Sequence, residues 1–349
     1  MAKLRYIGSK ARISEVLLDF IGKPSSNQRV FVDVFSGTGV ISRAAALRGW
    51  RVIANDYLYC SSLITTAQLL SPDDVKFAPL GGYEAALARL NAVDPVEGFI
   101  YREYTPSGRS VSGQERRYFT VENGARIDGI RGRIEDWRRT RQISELERAL
   151  LIADLLGAAN HVANIAGTYG CFLSAWEPAA LKPLKLAART LLPYAVDFRV
   201  LNTDSFLLNC PAESVAYVDP PYTKRQYAAY YHILETIAKG DQPRVEGVTG
   251  LRPWKDKLSD FCYKQRALRA LERLMDRVGS RRIVLSYSSE GHMGLASVEK
   301  LLTQMGSVRV KEIETIGRYR PNPRASAARS HVKEYVVELL RARAKVEVS

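Results

Sequence analysis

Short apolar runs, each followed by an amphipathic stretch of helical length, open and close this chain, and a long middle section loses that alternation. Residues 29–35, Arg-Val-Phe-Val-Asp-Val-Phe, read as a buried strand feeding a Ser-Gly-Thr-Gly turn and a helix over 40–47, with Gly49 placed to end it. A second strand, Trp50-Arg-Val-Ile-Ala, runs into Asn55-Asp56. From residue 72 to 193 an insert replaces the pattern, with its clearest apolar helical stripe over 143–166. Regular patterning resumes at Val196-Asp-Phe-Arg-Val-Leu201 and reaches the strand Val215-Ala-Tyr-Val-Asp219. Helices over 230–237 and 261–278, a strand over 282–287 and strand-like runs over 308–316 and 332–340 follow, and a short helix over 13–21 precedes them all. Strands alternating with helices predict an α/β, doubly wound Rossmann-like sheet, and the insert predicts a largely helical second domain. The expected boundaries are 1–75 and 194–349 for the sheet domain and 76–193 for the insert.

The candidate chemistry sits where the strands end. After Val218 come Asp219, Pro220, Pro221 and Tyr222: a carboxylate, carbonyls from residues without an N–H, and an aromatic ring. Such acceptors beside a stacking surface suit a flat ligand carrying an exocyclic amine, and a nucleobase fits; taken alone, the motif serves equally as a rigid strand-ending turn. In the first turn, Gly37 and Gly39 let the backbone approach a ligand closely, but Ser42 stands where a dinucleotide fingerprint needs its third glycine, so a pyrophosphate is disfavoured. Asp56, one helix and one strand later, is placed to accept both hydroxyls of a ribose, or to cap a following helix. Lys10, after Gly8-Ser9, reads as an anion ligand or as a solvated lysine at a helix entry.

Charge narrows the partners. The 349 residues carry 51 Lys and Arg against 37 Asp and Glu, a net charge of +14, which favours a polyanion such as nucleic acid. No run approaches the roughly 20 apolar residues of a membrane span, and the N-terminus lacks the apolar core of a signal peptide, so the expected setting is cytoplasmic with no membrane partner. Cys60, Cys171, Cys210 and Cys262 are widely separated and read as buried free thiols, and no metal site is expected. The arginine-dense segment 102–148 reads as a solvated helical face with ion pairs. The loop around Tyr169, rich in glycine and aromatics and followed by Lys182 and Lys185, suits base stacking or ordinary packing. Residues 317–331 hold Arg318, Arg320, Arg324 and Arg329 and no acid.

Together the motifs Tyr6-Ile-Gly8-Ser9-Lys10, Phe35-Ser-Gly37-Thr-Gly39, Asn55-Asp56, Asp204-Ser-Phe206 and Asp219 to Tyr222 stand in one order along nearly the whole chain, and this set resembles the Dam-type adenine-N6 DNA methyltransferases with an Asp-Pro-Pro-Tyr signature. Gly-Ser-Lys stands where many of those proteins have Gly-Gly-Lys. The resemblance implies an S-adenosyl-L-methionine-dependent methyltransferase sheet with an inserted target-recognition domain, acting on double-stranded DNA. It implies Lys10 at the cofactor carboxylate, Phe35, Gly37 and Gly39 along its methionine part, Asp56 at its ribose, Asp204 and Phe206 around its adenine, and Tyr6 and Asp33 in the same set. Asp219, Pro220, Pro221 and Tyr222 would receive a flipped-out adenine. Tyr169, Arg225, Tyr227, Arg318, Arg320 and Arg324 are the expected DNA contacts. The loop around Tyr169-Gly170, the run Arg225-Gln226-Tyr227 and the strand end Leu285-Ser-Tyr287-Ser resemble a subgroup associated with bacterial restriction and modification, which would make a cognate restriction endonuclease a partner. Cytosine-N4 methylation and a catalytically silent DNA-binding specificity subunit are the alternatives.

Overall fold

The structure, a computed structural model, describes residues 5–8, 10–314 and 333–342. The described chain divides into two compact units.

One unit, residues 10–57, 197–226 and the described part of 259–349, is built on a seven-stranded sheet. Its strands are β1 (Val30–Asp33), β2 (Arg51–Asn55), β3 (Phe198–Leu201), β4 (Val215–Val218), β5 (Arg282–Ser288), β6 (Ser307–Glu314) and β7 (Lys333–Leu340), in the order β3-β2-β1-β4-β5-β7-β6. The first five strands are parallel, while β7 is antiparallel to both β5 and β6. The chain steps from β1 outward to β2 and β3, then crosses back to β4 on the other side of β1. The carboxyl ends of β1 and β4 therefore flank a topological switch point, where sheets of this kind hold ligands. This is the doubly wound, methyltransferase-type α/β sheet expected from the sequence.

Strand register decides which side chains reach that edge. Val32, Ala216, Val218, Ile283, Leu285, Tyr287, Val337 and Leu339 share one face and pack into an apolar core with the helix Ala267–Arg277. The other face carries Asp33 beside Tyr217 on β1 and β4 and, four residues further along β5, Ser288 beside Glu334 of β7, so each of these four strands places a polar residue on that face. A slip of one residue in β7 would send Glu334 to the apolar face.

The second unit, residues 5–8, 58–196 and 227–258, is helical. It holds helices Tyr59–Leu69, Tyr83–Asn91, Phe99–Tyr104, Val121–Arg139, Glu145–His161, Tyr227–Tyr230 and His232–Lys239. Glu145–His161 is buried on nearly every side and forms the centre of the unit; Ser144 and Glu147 close a reciprocal cap at its start. The expected helix over 143–166 is shorter at both ends for that reason at the N-terminal side, and because Val162 closes it onto Ala158 at the other.

Much of the arginine-dense segment is the solvated face expected, with Arg109, Arg117, Arg133, Arg138, Arg139 and Arg141 exposed and Arg138 and Arg139 paired with Glu145 and Asp136, but three of its arginines depart from that reading. Arg116, Arg131 and Arg148 are buried, at 0%, 8% and 7% exposure. Arg131 donates to the carbonyls of Ile237 and Ala238 at the end of a helix, and Arg148 and Arg131 share Glu135 at 2.7 Å. Arg116 bonds Glu103, Ser110, Ser112 and the carbonyls of Gly247 and Val248, fixing loop 106–117. Multiple donors fixed in a plane make arginine the cation best able to serve several carbonyls while buried. All four cysteines are free; Cys171, expected to be buried, is exposed.

Candidate active site at the edge of the sheet

The turn after β1 is assembled from its own strand end and that of β2. Ser36 N–H donates to the Asn55 carbonyl at 2.8 Å, and Gly39 N–H donates to the Ser36 carbonyl at 2.8 Å. Gly37 and Gly39 have φ of 53° and 74°, in the left-handed region, which explains glycine at both. Gly37 N–H donates to Asp56 Oδ2 at 2.9 Å. The helix Tyr59–Leu69 has Leu58 at its N-cap position, and Asp56 stands two residues before it, at the end of β2. It is half-buried at the turn, where a carboxylate can receive hydroxyls. Asn55 clamps the neighbouring segment, donating to the carbonyls of Val34 and Thr203 and accepting from Thr203 N–H.

Beneath this turn Asp33 is buried. Ser42 Oγ donates to its Oδ2 at 2.7 Å, while Oδ1 has no hydrogen-bond partner. Burial pushes the Asp33 pKa up to about 7, against the Ser42 hydroxyl, and the charges of Asp219 and Asp56 push the same way as burial. Ser42, in place of a third glycine, thus has a positive role as the partner of a buried acid.

An aromatic floor lies alongside. Phe261, which sequence reasoning missed, is fully buried, edge-on to Phe35 with centroids 5.9 Å apart and nearly parallel to Phe206 at 6.2 Å. Phe35 and Phe206 remain half-buried, and the Arg273 guanidinium lies 4.7 Å from the Phe206 ring centre. Asp204 caps the short turn Ser205–Leu207, its Oδ1 accepting from Phe206 N–H at 3.0 Å. Paired glycines, a strand-end acid and exposed aromatic edges, with no lysine or arginine in the turn itself, fit a cofactor that carries a ribose and an adenine and no phosphate.

The acceptor turn after β4 completes the edge. Asp219 Oδ1 is buried and accepts no hydrogen bond; Lys10 Nζ stands 3.4 Å from it. The same ammonium donates to Glu334 Oε2 at 2.9 Å and lies 3.4 Å from Tyr222 Oη. Burial pushes the Asp219 pKa up to about 7; Lys10 opposes that and Glu334 adds to it. Burial also works against the charge on Lys10, yet Asp219, Tyr222 and Glu334 together hold its pKa well above the ordinary value. Tyr222 lies edge-on to Tyr287 at 5.7 Å, and its carbonyl accepts from His292 N–H at 3.0 Å. Glu334 gave no signal in the sequence, since its place depends on the register of the last strand.

Other expected residues lie elsewhere. Tyr6 and Tyr227 belong to the helical unit, where Tyr6 stacks on Tyr231 at 4.4 Å and Tyr227 tilts against both. Tyr169 is wholly enclosed there, its carbonyl accepting from Tyr118 and His232, so its ring offers no surface for a base. Arg225 is exposed beyond Tyr222. Arg318, Arg320, Arg324 and Arg329 lie outside the described residues.

Sheet order, glycine turn and acceptor cluster define a methyltransferase of the S-adenosyl-L-methionine-dependent α/β class. Residues 6–301 match the family of D12 class N6 adenine-specific DNA methyltransferases, and the chain belongs to that family. It is 35% identical over 315 residues to the type II methyltransferase M.NlaIII of Neisseria lactamica, covering 89% of this chain and 91% of that one. It is 32% identical over 338 residues to M.CviAII of Paramecium bursaria Chlorella virus 1, covering 96% and 98%. Against M.FokI of Planomicrobium okeanokoites it is 35% identical over 310 residues, covering 87% of this chain but only 47%, about half, of that relative. The family is adenine-N6-specific, which favours adenine over the cytosine-N4 alternative. No helix among the described residues is long and apolar enough to cross a membrane.

Proposed function

We propose that this chain methylates the exocyclic N6 amine of an adenine flipped out of a specific double-stranded DNA sequence, using S-adenosyl-L-methionine. The observation that carries the reading is the buried Asp219 Oδ1, an acceptor without a hydrogen bond, at the switch point and followed by two residues that have no N–H. Asp219 and the Pro220 carbonyl accept the two amine hydrogens, Pro221 keeps a competing N–H away, and Tyr222 lies against the ring. Accepting both hydrogens draws the nitrogen lone pair out of conjugation and aims it at the methyl donor. When bound, S-adenosyl-L-methionine supplies a methyl group on a sulfonium, ready for displacement.

Asp56 receives the cofactor's ribose hydroxyls, Gly37, Gly39 and Phe35 line its methionine part, and Asp204 and Phe206 frame its adenine. Asp33 acts from below, through Ser42 and the turn. Lys10 is engaged by Glu334 and stands beside Asp219, which favours a role on the acceptor side of the site over one at the cofactor carboxylate. Residues 76–193 read the target sequence, and Arg225, Tyr227 and the arginines of 317–331 hold the DNA backbone. The names of the type II relatives support a restriction–modification role with a cognate endonuclease. Sequencing that reports N6-methyladenine in DNA from cells expressing this chain tests the reading; the same DNA free of methylated adenine, with the chain soluble and folded, rejects it.

A further inference from the structure

The Lys10 ammonium has two carboxylates within reach and does not treat them alike. It makes a normal charge-assisted hydrogen bond to Glu334 at 2.9 Å and stops at 3.4 Å from Asp219. Lys10, Asp219 and Glu334 are all largely buried: their side chains are 6%, 14% and 14% exposed. A buried carboxylate oxygen beside a buried ammonium would ordinarily close to hydrogen-bond distance, because an unmade bond there is costly. Asp219 Oδ1 nevertheless accepts none. The residue that holds the ammonium back is Glu334, which enters from β7 opposite Ser288 on the polar face of the sheet.

We propose that Glu334 is a positioning residue for methyl transfer: it holds the Lys10 ammonium beside Asp219 but off its acceptor oxygen, so that this oxygen stays open to the adenine amine. The inference rests on the proposed function and extends it to a residue of the last strand. With Glu334 in place the ammonium supports the negative charge on Asp219 without using the lone pairs the amine needs. Remove its charge and Lys10 closes on Asp219, filling the acceptor. Among the described residues, the groups that face Asp219 are Lys10 from the turn Lys10–Arg12, Glu334 from β7, Tyr222 from the turn after β4, and Tyr217 and Asp33 from β4 and β1. Among them Glu334 is the one whose hydrogen bond competes with Asp219 for Lys10.

The test uses the full chain with tritiated S-adenosyl-L-methionine and genomic DNA from cells lacking adenine methylation. Glu334→Gln should lower turnover by roughly 10- to 100-fold while leaving cofactor affinity within about threefold, the pattern of a displaced reacting group. It should also move the acid limb of the pH–rate profile downward, because Lys10 alone then holds Asp219 ionised. Glu334→Asp, which restores the charge on a shorter arm, should recover part of the rate. A Gln variant with parental turnover and an unmoved acid limb overturns the proposal. So does equal inactivity of the Gln and Asp variants accompanied by a lowered melting temperature and lost cofactor binding, which would make Glu334 a strand residue and nothing more. If the parental chain itself transfers no methyl group to DNA, the underlying functional reading fails, and that result is read before any variant is compared.

Discussion

Gly37 and Asp56 lie 19 residues apart in sequence, and the N–H of the one donates to the carboxylate of the other at 2.9 Å, joining the turn after β1 to the end of β2. Asp56 is thereby fixed in orientation before any ligand arrives. Asp56→Ala should weaken S-adenosyl-L-methionine binding by about 1–3 kcal/mol through lost charge-assisted bonds and a loosened turn. Calorimetry of the variant checks this; an unchanged affinity would remove Asp56 from the cofactor site.

Asp219 should control the pH dependence of the reaction. Its pKa is pushed up to about 7, and the carboxylate is the form that accepts amine hydrogens, so kcat/KM should fall as pH drops through about 7 and level off above it. Asp219→Asn should abolish that limb and lower turnover about 100-fold or more, with cofactor affinity within a few-fold. A variant retaining the parental profile would show that another group titrates.

Asp33 gives a prediction about stability. Its pKa rises from 3.8 in the unfolded chain to about 7 in the fold, so between those values the folded protein holds a proton that the unfolded chain has released. Stability from this group is present below the lower value and is lost as pH rises through about 7. Asp33→Asn can still accept from Ser42 and has no charge to bury. At pH 8 it should be more stable than the parent by on the order of 1–3 kcal/mol, with the difference shrinking toward pH 4. Urea titrations at the two pH values measure it.

In the helical unit, Arg116 donates to five residues while fully buried, and Glu103 is its counter-charge at 3.1 Å. Glu103→Ala should cost about 3–5 kcal/mol by leaving the guanidinium unpaired in the interior. Proteolysis should then cut first within loop 106–117, which Arg116 ties to residues 247–248. Parental resistance to protease would show the loop to be held by other bonds.

The sheet was legible because its central strands are buried on both faces and end abruptly: the runs before Gly37 and after Ser214 name β1 and β4, and the helix over 40–47 is found where its apolar spacing puts it. What was not legible depends on contacts between distant segments. Nothing local in residues 227–258 tells that they pack with residues 58–196, and nothing around Tyr169 distinguishes a ring that stacks on a base from one sealed beneath Tyr118 and His232. Glu334 and Phe261 reach the site through strand register and a turn, so neither carries a motif. Arg116, Arg131 and Arg148 could not be told from their exposed neighbours for a physical reason: charge counts do not separate a side chain in water from one satisfying carboxylates and carbonyls indoors.

The hydrogen bond between Lys10 and Glu334 spans 324 positions of chain. A ribosome therefore finishes six of the seven strands before the residue that sets the position of Lys10 has been made, and the contact must close one of the longest loops the polypeptide can form. Nascent chains that have already folded their glycine turn and their Asp-Pro-Pro-Tyr turn still lack the arrangement around Asp219. The arrangement around Asp219 is thus completed only once β7 exists, and shortened products of translation that stop before β7 would carry the recognisable motifs without the assembled chemistry.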